Sequence, residues 1–388
     1  NSKKSIYKEG CIDCNKNGKM DVYEDPTAPS DTRVADLLSQ MTVEEKTCQL
    51  ATLYGSGRVL KDRQPTAEWK NEIWKDGIAN IDEQANGLGS FRSRLSYPYA
   101  VSIENRQAIQ RWFVEETRLG IPVDYTNEGI RGLCHDRVTM FPAQCGQGAT
   151  WNRELVRQIA DVTAKEVVAL GYTNIYSPIL DIAQDPRWGR VVECYDEDPY
   201  LGGELGKQMV EGLQSHGLVS TPKHFGVYSI PVGGRDADTR TDPHVAPREM
   251  RTLYLEPFRK GIQEGGAKGV MSSYNDYDGE PVSGSHYFLT DILRKQCGFS
   301  GYVVSDSEAV EFLMSKHKVV PSLEDAATQV VSAGLNVRTN FTPPQDFVLP
   351  LRDAIKNGKV SMEVIDQRVA EVLAVKFMLG LFDNPYKG

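Results

Sequence analysis

Apolar residues recur at intervals of three and four over residues 103–119, 153–170, 201–215, 248–264, 325–333 and 362–378, so each stretch has one face to bury. These are predicted as amphipathic helices. Between and before them run short β-prone segments at 87–91, 122–125, 174–182, 219–224, 269–274, 302–306 and 335–338. Alternation of such runs with helical stretches is the pattern of repeated strand–helix units around a parallel sheet. Seven or eight units are counted, and no GxGxxG opens a helix after the first strand. The expected fold is therefore an α/β, TIM-type (β/α)8 barrel with an irregular first strand, rather than an open doubly wound sheet.

Ahead of the barrel, residues 1–30 are polar and turn-rich. Asp31 is then expected to cap a helix over 33–40, and Thr42 with Glu45 three residues on makes a capping box for a second. The organisation read from this is an extension over 1–30 and a barrel over 31–388. No strict repeat, low-complexity tract or charge block interrupts it.

Composition narrows the function class. With 44 Lys and Arg against 53 Asp and Glu, the 388-residue chain carries a net charge of −9, which disfavours nucleic acid as a partner. No window approaches the roughly 18 consecutive apolar residues of a membrane span. The first residue is Asn1 without a leader pattern, read as a processed chain or a cut-out piece. Seven cysteines spread over this length do not form a small disulfide framework. The close pair Cys11 and Cys14 suits a local disulfide better than zinc, which needs a second pair.

Polar residues crowd the ends of the predicted strands: Glu128, Asp181, Arg187, Lys223, His224, Tyr274 and Asp306. In a barrel this rim is where chemistry is built. Taken alone, Asp306 in VVSDSEAV reads as a helix cap for Glu308 onward or as a carboxylate entering a pocket. TPKHF brings Lys223 and His224 to the same rim. The stretch DIAQDPRWGRVVECYDEDPYL adds both charge signs around Trp188. Charged groups beside an aromatic ring suit a sugar, whose hydroxyls take hydrogen bonds and whose C–H face meets rings.

Read together, NEGIRG, DPRWGR, DEDPYLGGELG, KHF, GVMSSYNDYDGEPVSGSHYFLTDILR, CGFSGYVVSDSEAV and AGLNVR resemble family 3 glycoside hydrolases, in order from about Asp31 to Phe382. The resemblance is to the β-glucosidase and β-xylosidase branch. It implies that Asp306 is the nucleophile of a retaining mechanism with a covalent glycosyl-enzyme intermediate. It also implies that Arg187, Lys223 and His224 grip hydroxyls of the non-reducing terminal sugar, with Tyr274 beside the nucleophile. Glu128 stands where glucosidases usually carry Asp, similar to xylosidase-like members, which tilts the expectation towards a pentose. Three departures stand out: Ser307 where many members have Trp, Asp196 where GEDP members have Gly, and AGLNVR without the acids of AGLDMDM.

In most two-domain members the acid/base carboxylate comes from an α/β sandwich domain after the barrel. The chain stops at KFMLGLFDNPYKG, where the barrel normally ends, so that domain is expected as a missing partner. An alternative is the single-domain N-acetylhexosaminidase arrangement, in which Asp242 and His244 would form an acid/base dyad. However, GVYSIPVGGR lacks those enzymes' GHG pattern, and PREMRTLYLEPF looks like the glucosidase branch. A third reading is a sugar-binding barrel without turnover.

Residues 13–24, DCNKNGKMDVYE, fit the ligand order of an EF-hand loop. Asp13, Asn15, Asn17, Lys19 through its carbonyl, Asp21 and Glu24 would surround a calcium ion, with Gly18 at the sharp turn. Such an ion would be structural, because two-carboxylate catalysis needs no metal or other cofactor. A periplasmic or extracellular location is expected from this loop, the missing Met and a polysaccharide-derived oligosaccharide substrate.

Overall fold

Parallel pairing links each extended segment to the next until the ring closes. The computed structural model describes residues 6–84, 98–230 and 242–388. Its strands are β1 (Thr52–Tyr54), β2 (Asn80–Asp82), β3 (Asp124–Glu128), β4 (Asn174–Tyr176), β5 (Val219–Ser220), β6 (Gly269–Ser272) and β7 (Tyr302–Ser305). β1 to β5 form one sheet in chain order, in registers such as Thr52 with Asn80 and Thr126 with Asn174. A bridge from Phe225 to Ser272 carries the ring to β6, which pairs with β7 along its length. Residues 335–338 take the eighth position, bridging Val337 to Val304 and Arg338 to Ala51. The structure is a closed (β/α)8-type barrel, as the pattern predicts.

The opening of the barrel differs from the expectation. The predicted first strand, 87–91, lies outside the described residues. The first two positions of the ring are instead TLY and NID, three residues each. Both are fully buried and too short to show any alternation. Of the predicted 174–182, Asn174–Tyr176 is regular strand, and after Ser177 and Pro178 the parallel pairing resumes at a single bridge between Ile179 and Lys223.

Helix ends follow local capping chemistry. The backbone N–H of Leu155 donates to Asn152, those of Tyr200 and Leu201 to Asp198, and that of Asp325 to Ser322. The Thr42 and Glu45 capping box is present in both directions. Asp31 is not a cap. The helix Ser30–Gln40 begins after Pro29, which places Asp31 in the first turn, where the positive helix end favours it. The predicted helix 248–264 forms with widened turns. Pro257 has no N–H and crowds the preceding turn, and the N–H of Leu255 reaches back five residues to Met250.

The lower barrel interior is polar. Tyr302, Thr173 and Asn174 all donate to the buried Asp124 carboxylate, and Thr221 donates to Asn174. Burial raises Asp124, opposed by these bonds and by the Lys376 cation. Lys376 is pushed down to about 7 by its own burial. This satisfied network floors the barrel, so the open chemistry is left to the opposite rim.

Candidate active site

Asp306 follows directly from β7, and its backbone N–H donates to the Ser272 carbonyl of β6 at 3.2 Å. Its side chain is 13% exposed, turned into the barrel mouth. The N–H of Ser307 donates to Asp306 Oδ1 at 2.8 Å. Asp306 Oδ2 lies 3.5 Å from His224 Nε2 and 3.8 Å from Arg190 Nη1. The following helix, Ala309–Ser315, starts from Glu308 without a side-chain cap. The capping reading of Asp306 is thereby replaced by a carboxylate facing a histidine and an arginine.

Each neighbour is itself held. His224 Nδ1 is 2.7 Å from Asp181 Oδ2, and the His224 N–H donates to the same oxygen at 3.1 Å. Lys223, only 2% exposed, donates to Glu128 Oε2 at 2.5 Å, which joins the ends of β3 and β5. Arg190 is buried and makes a paired interaction with Glu193, at 3.0 and 2.8 Å. Tyr274, Tyr228, Trp188 and Phe312 form an apolar cluster of their own beside these groups. His317 Nε2 donates to the Tyr274 carbonyl at 2.9 Å and so fixes that turn.

The electrostatics follow from burial against cations. Burial raises the Asp306 carboxyl, while Arg190, Lys223, the Ser307 N–H and a Tyr274 hydrogen bond all pull it back down. Asp181 is pushed up to about 7 by burial, with Arg190 and the His224 N–H opposing. Burial and the charges of Glu83 and Glu128 raise Asp82 well above the usual carboxylate range. A buried carboxylate kept reactive by adjacent cations is equipped to attack an electrophilic carbon.

Of the residues singled out from sequence, Lys223, His224, Tyr274 and Asp306 meet around one mouth, with Glu128 tied in through Lys223. Arg187 does not join them. Its side chain is 69% exposed and forks onto Asp185 at 2.7 Å, because the tight turn Asp185–Trp188 points it outward. The arginine that faces Asp306 is Arg190, three residues on in DPRWGR. The signal that could have separated them is Glu193 at i+3 from Arg190, which puts a partner on the same side of a single turn. Asp181, which holds His224, was visible only as one more polar strand-end residue.

The proposed dyad partner His244 is 88% exposed, with Nδ1 3.6 Å from Asp242 Oδ1. The imidazole thus stands in solvent, while the Asp242 side chain is only 19% exposed. Ser307, in place of an aromatic ring, shares a hydrogen bond of 3.1 Å with the Tyr54 hydroxyl. All seven cysteines carry free thiols, so Cys11 and Cys14 are not bonded to each other. In the N-terminal loop, Asp13, Asn15, Asn17, Lys19, Asp21 and Glu24 lie within one tight turn, remote in sequence from every rim residue. No described helix is long and apolar enough to cross a membrane.

Comparison with known proteins agrees with this geometry. The sequence profile described as "Glycosyl hydrolase family 3 N terminal domain" matches residues 42–375. A β-xylosidase of Formosa agariphila is 35% identical over 284 residues, covering 69% of this chain and 39% of that protein. A periplasmic β-glucosidase of Salmonella typhimurium is 30% identical, covering 92% of this chain and 43% of its own length. Among solved structures, a β-glucosidase from Erythrobacter marinus superposes with a TM-score of 0.83 at 29% identity, over 95% of this chain and 48% of that one. The Listeria innocua β-glucosidase in complex with glucose does so at 0.78 and 29%, over 92% and 48%. This chain spans about two fifths to one half of the length of these relatives, and over that span it belongs to glycoside hydrolase family 3, as its N-terminal barrel domain.

Proposed function

We propose that the barrel is the nucleophile-bearing half of a retaining, exo-acting β-glycosidase. It would release a terminal β-D-xylose or β-D-glucose from plant-polysaccharide oligosaccharides. The observation that carries this is Asp306 at the end of β7, largely enclosed and facing His224 and Arg190. In the first step a carboxylate oxygen of Asp306 bonds to the anomeric carbon as the glycosidic C–O bond breaks, and an acid protonates the departing oxygen. In the second step water attacks that carbon, gives its proton to the same acid/base group and frees Asp306. Lys223, His224 and Arg190 donate to hydroxyls of the bound sugar, with Arg190 taking the part first assigned to Arg187.

The acid/base is assigned to a domain outside the barrel, in keeping with relatives about twice as long. Glu128 is longer than Asp by one methylene and is braced by Lys223, which narrows the room for a hexose hydroxymethyl group and favours xylose. A periplasmic or extracellular location is favoured by relatives from Salmonella typhimurium and Dickeya chrysanthemi, whose names place them in the periplasm.

The test is intact-protein mass after incubation with equal amounts of 2-deoxy-2-fluoro xylosyl and glucosyl donors bearing dinitrophenolate, which needs little acid assistance. A pentosyl adduct on Asp306 is expected. A hexosyl adduct would reverse the reading of Glu128. An adduct on another residue, or none with either donor when sugar still binds, would sink the nucleophile assignment in favour of a barrel that only binds sugar.

A further inference from the structure

The loop from Asp13 to Glu24 turns its oxygens inward. Asp13 Oδ2 accepts from the Gly18 N–H at 3.0 Å, Asn15 Oδ1 from the Asn17 N–H at 3.2 Å, and Asn17 Oδ1 from the Lys19 N–H at 2.8 Å. Gly18, at φ +82°, makes the reversal that a side chain would strain. From the far end Glu24 reaches back with both oxygens, taking the Asn15 N–H on one at 3.1 Å and the Asp21 N–H on the other at 3.0 Å. The side-chain amides of Asn15 and Asn17 both donate to Asp21 Oδ2.

One group is left over. Asp13 is only 3% exposed, and its buried Oδ1 has no hydrogen-bond partner. A desolvated carboxylate oxygen without a donor is costly, and a cation is the partner that removes the cost. We infer that this loop binds one calcium ion through Asp13, Asn15, Asn17 and Asp21 side-chain oxygens, the Lys19 carbonyl and both oxygens of Glu24.

The chemistry of the set selects the ion. It is all oxygen, and bidentate Glu24 brings it into the range of about six to eight donors that calcium takes, whereas magnesium demands a smaller octahedron. Among the described residues no three carboxylates, histidines or cysteines are gathered as a metal cluster, so the inference rests on the mixed set of carboxylate, amide and carbonyl oxygens.

The ion would fasten the extension to the barrel. Lys16 donates to the carbonyls of Val114 and Thr117 at the end of the helix Tyr99–Glu116. The Tyr23 hydroxyl donates to the Leu119 carbonyl, and the Tyr23 N–H to Asp36. The loop thus rests on two helices through bonds that its own shape maintains.

Calorimetric titration of EDTA-treated protein with calcium chloride is expected to show one ion per chain, half-saturated below about 1 mM. Calcium at a large excess over that midpoint should raise the melting temperature by about 2–4 °C over EDTA, and magnesium should not reproduce the rise. Asp21→Asn and Glu24→Gln should each weaken calcium binding by about tenfold or more. Should Glu24→Gln fail to fold, Asp21→Asn decides, since Asp21 is only half-buried. No binding heat and no melting shift up to 10 mM, or wild-type affinity retained in the folded variants, would overturn the inference.

Discussion

At Asp306 burial and cations pull in opposite directions, and the balance leaves its carboxyl above the usual range. The anion is the attacking form, so the rate of adduct formation with an activated fluoroglycoside should rise with pH through a midpoint above the ordinary aspartate value of about 4. Arg190→Gln removes a cation that stabilises the anion and should move that midpoint further up. A pH–rate series in which it stays or falls would contradict the role given to Arg190. Glu128→Asp shortens the acid by one methylene and should shift the ratio of glucosyl to xylosyl kcat/KM towards glucose by about tenfold. At this scale Asp306, Lys223, His224, Tyr274 and Glu128 were legible from motif and strand-end position. Arg190 was not separable from Arg187, because a motif does not say which way a tight turn throws each side chain.

Among the elements, long helices were easiest to read. Met362–Met378 has the predicted bounds, since Ser361 caps it and its apolar spacing runs unbroken. The helix Gln345–Lys356 escaped notice because Pro350 interrupts its pattern, although Phe347, Val348, Leu351 and Ala354 bury one face. Asp198 accepts two backbone N–H bonds at the start of Pro199–Gln214, so Asp198→Ala should lower stability by about 1 kcal/mol in a urea titration. Gly148 is a stricter case, because a Cβ there would stand 1.8 Å from the Tyr195 carbonyl oxygen. Gly148→Ala should cost more than about 2 kcal/mol by the same titration, and a smaller loss would mean that the short helix Gln144–Gly148 shifts freely.

Across the whole molecule, chain ends far apart in sequence are tied together. Arg33 forks onto Asp383, with one contact at 2.6 Å, donates to the Tyr23 carbonyl and lies over the Phe377 ring at 4.6 Å. Arg33→Ala removes all three and should cost about 2 kcal/mol, read as a lower denaturant midpoint at unchanged slope. The acid/base lies outside the described rim in this reading. The barrel alone should therefore react with dinitrophenyl glycosides far faster than with oligosaccharides, and equal rates on both would refute the assignment. Sequence by itself determined the barrel class, the family, the rim position of Asp306 and the oxygen-rich loop, because periodicity, ordered motifs and strand-end position are local properties. Only the tertiary structure decided where the ring begins, which arginine faces Asp306, that Asp181 holds His224 and that His244 stands in solvent. Three-residue strands, turn directions and buried pairings are set by closure of the ring, and closure joins residues that no local pattern connects.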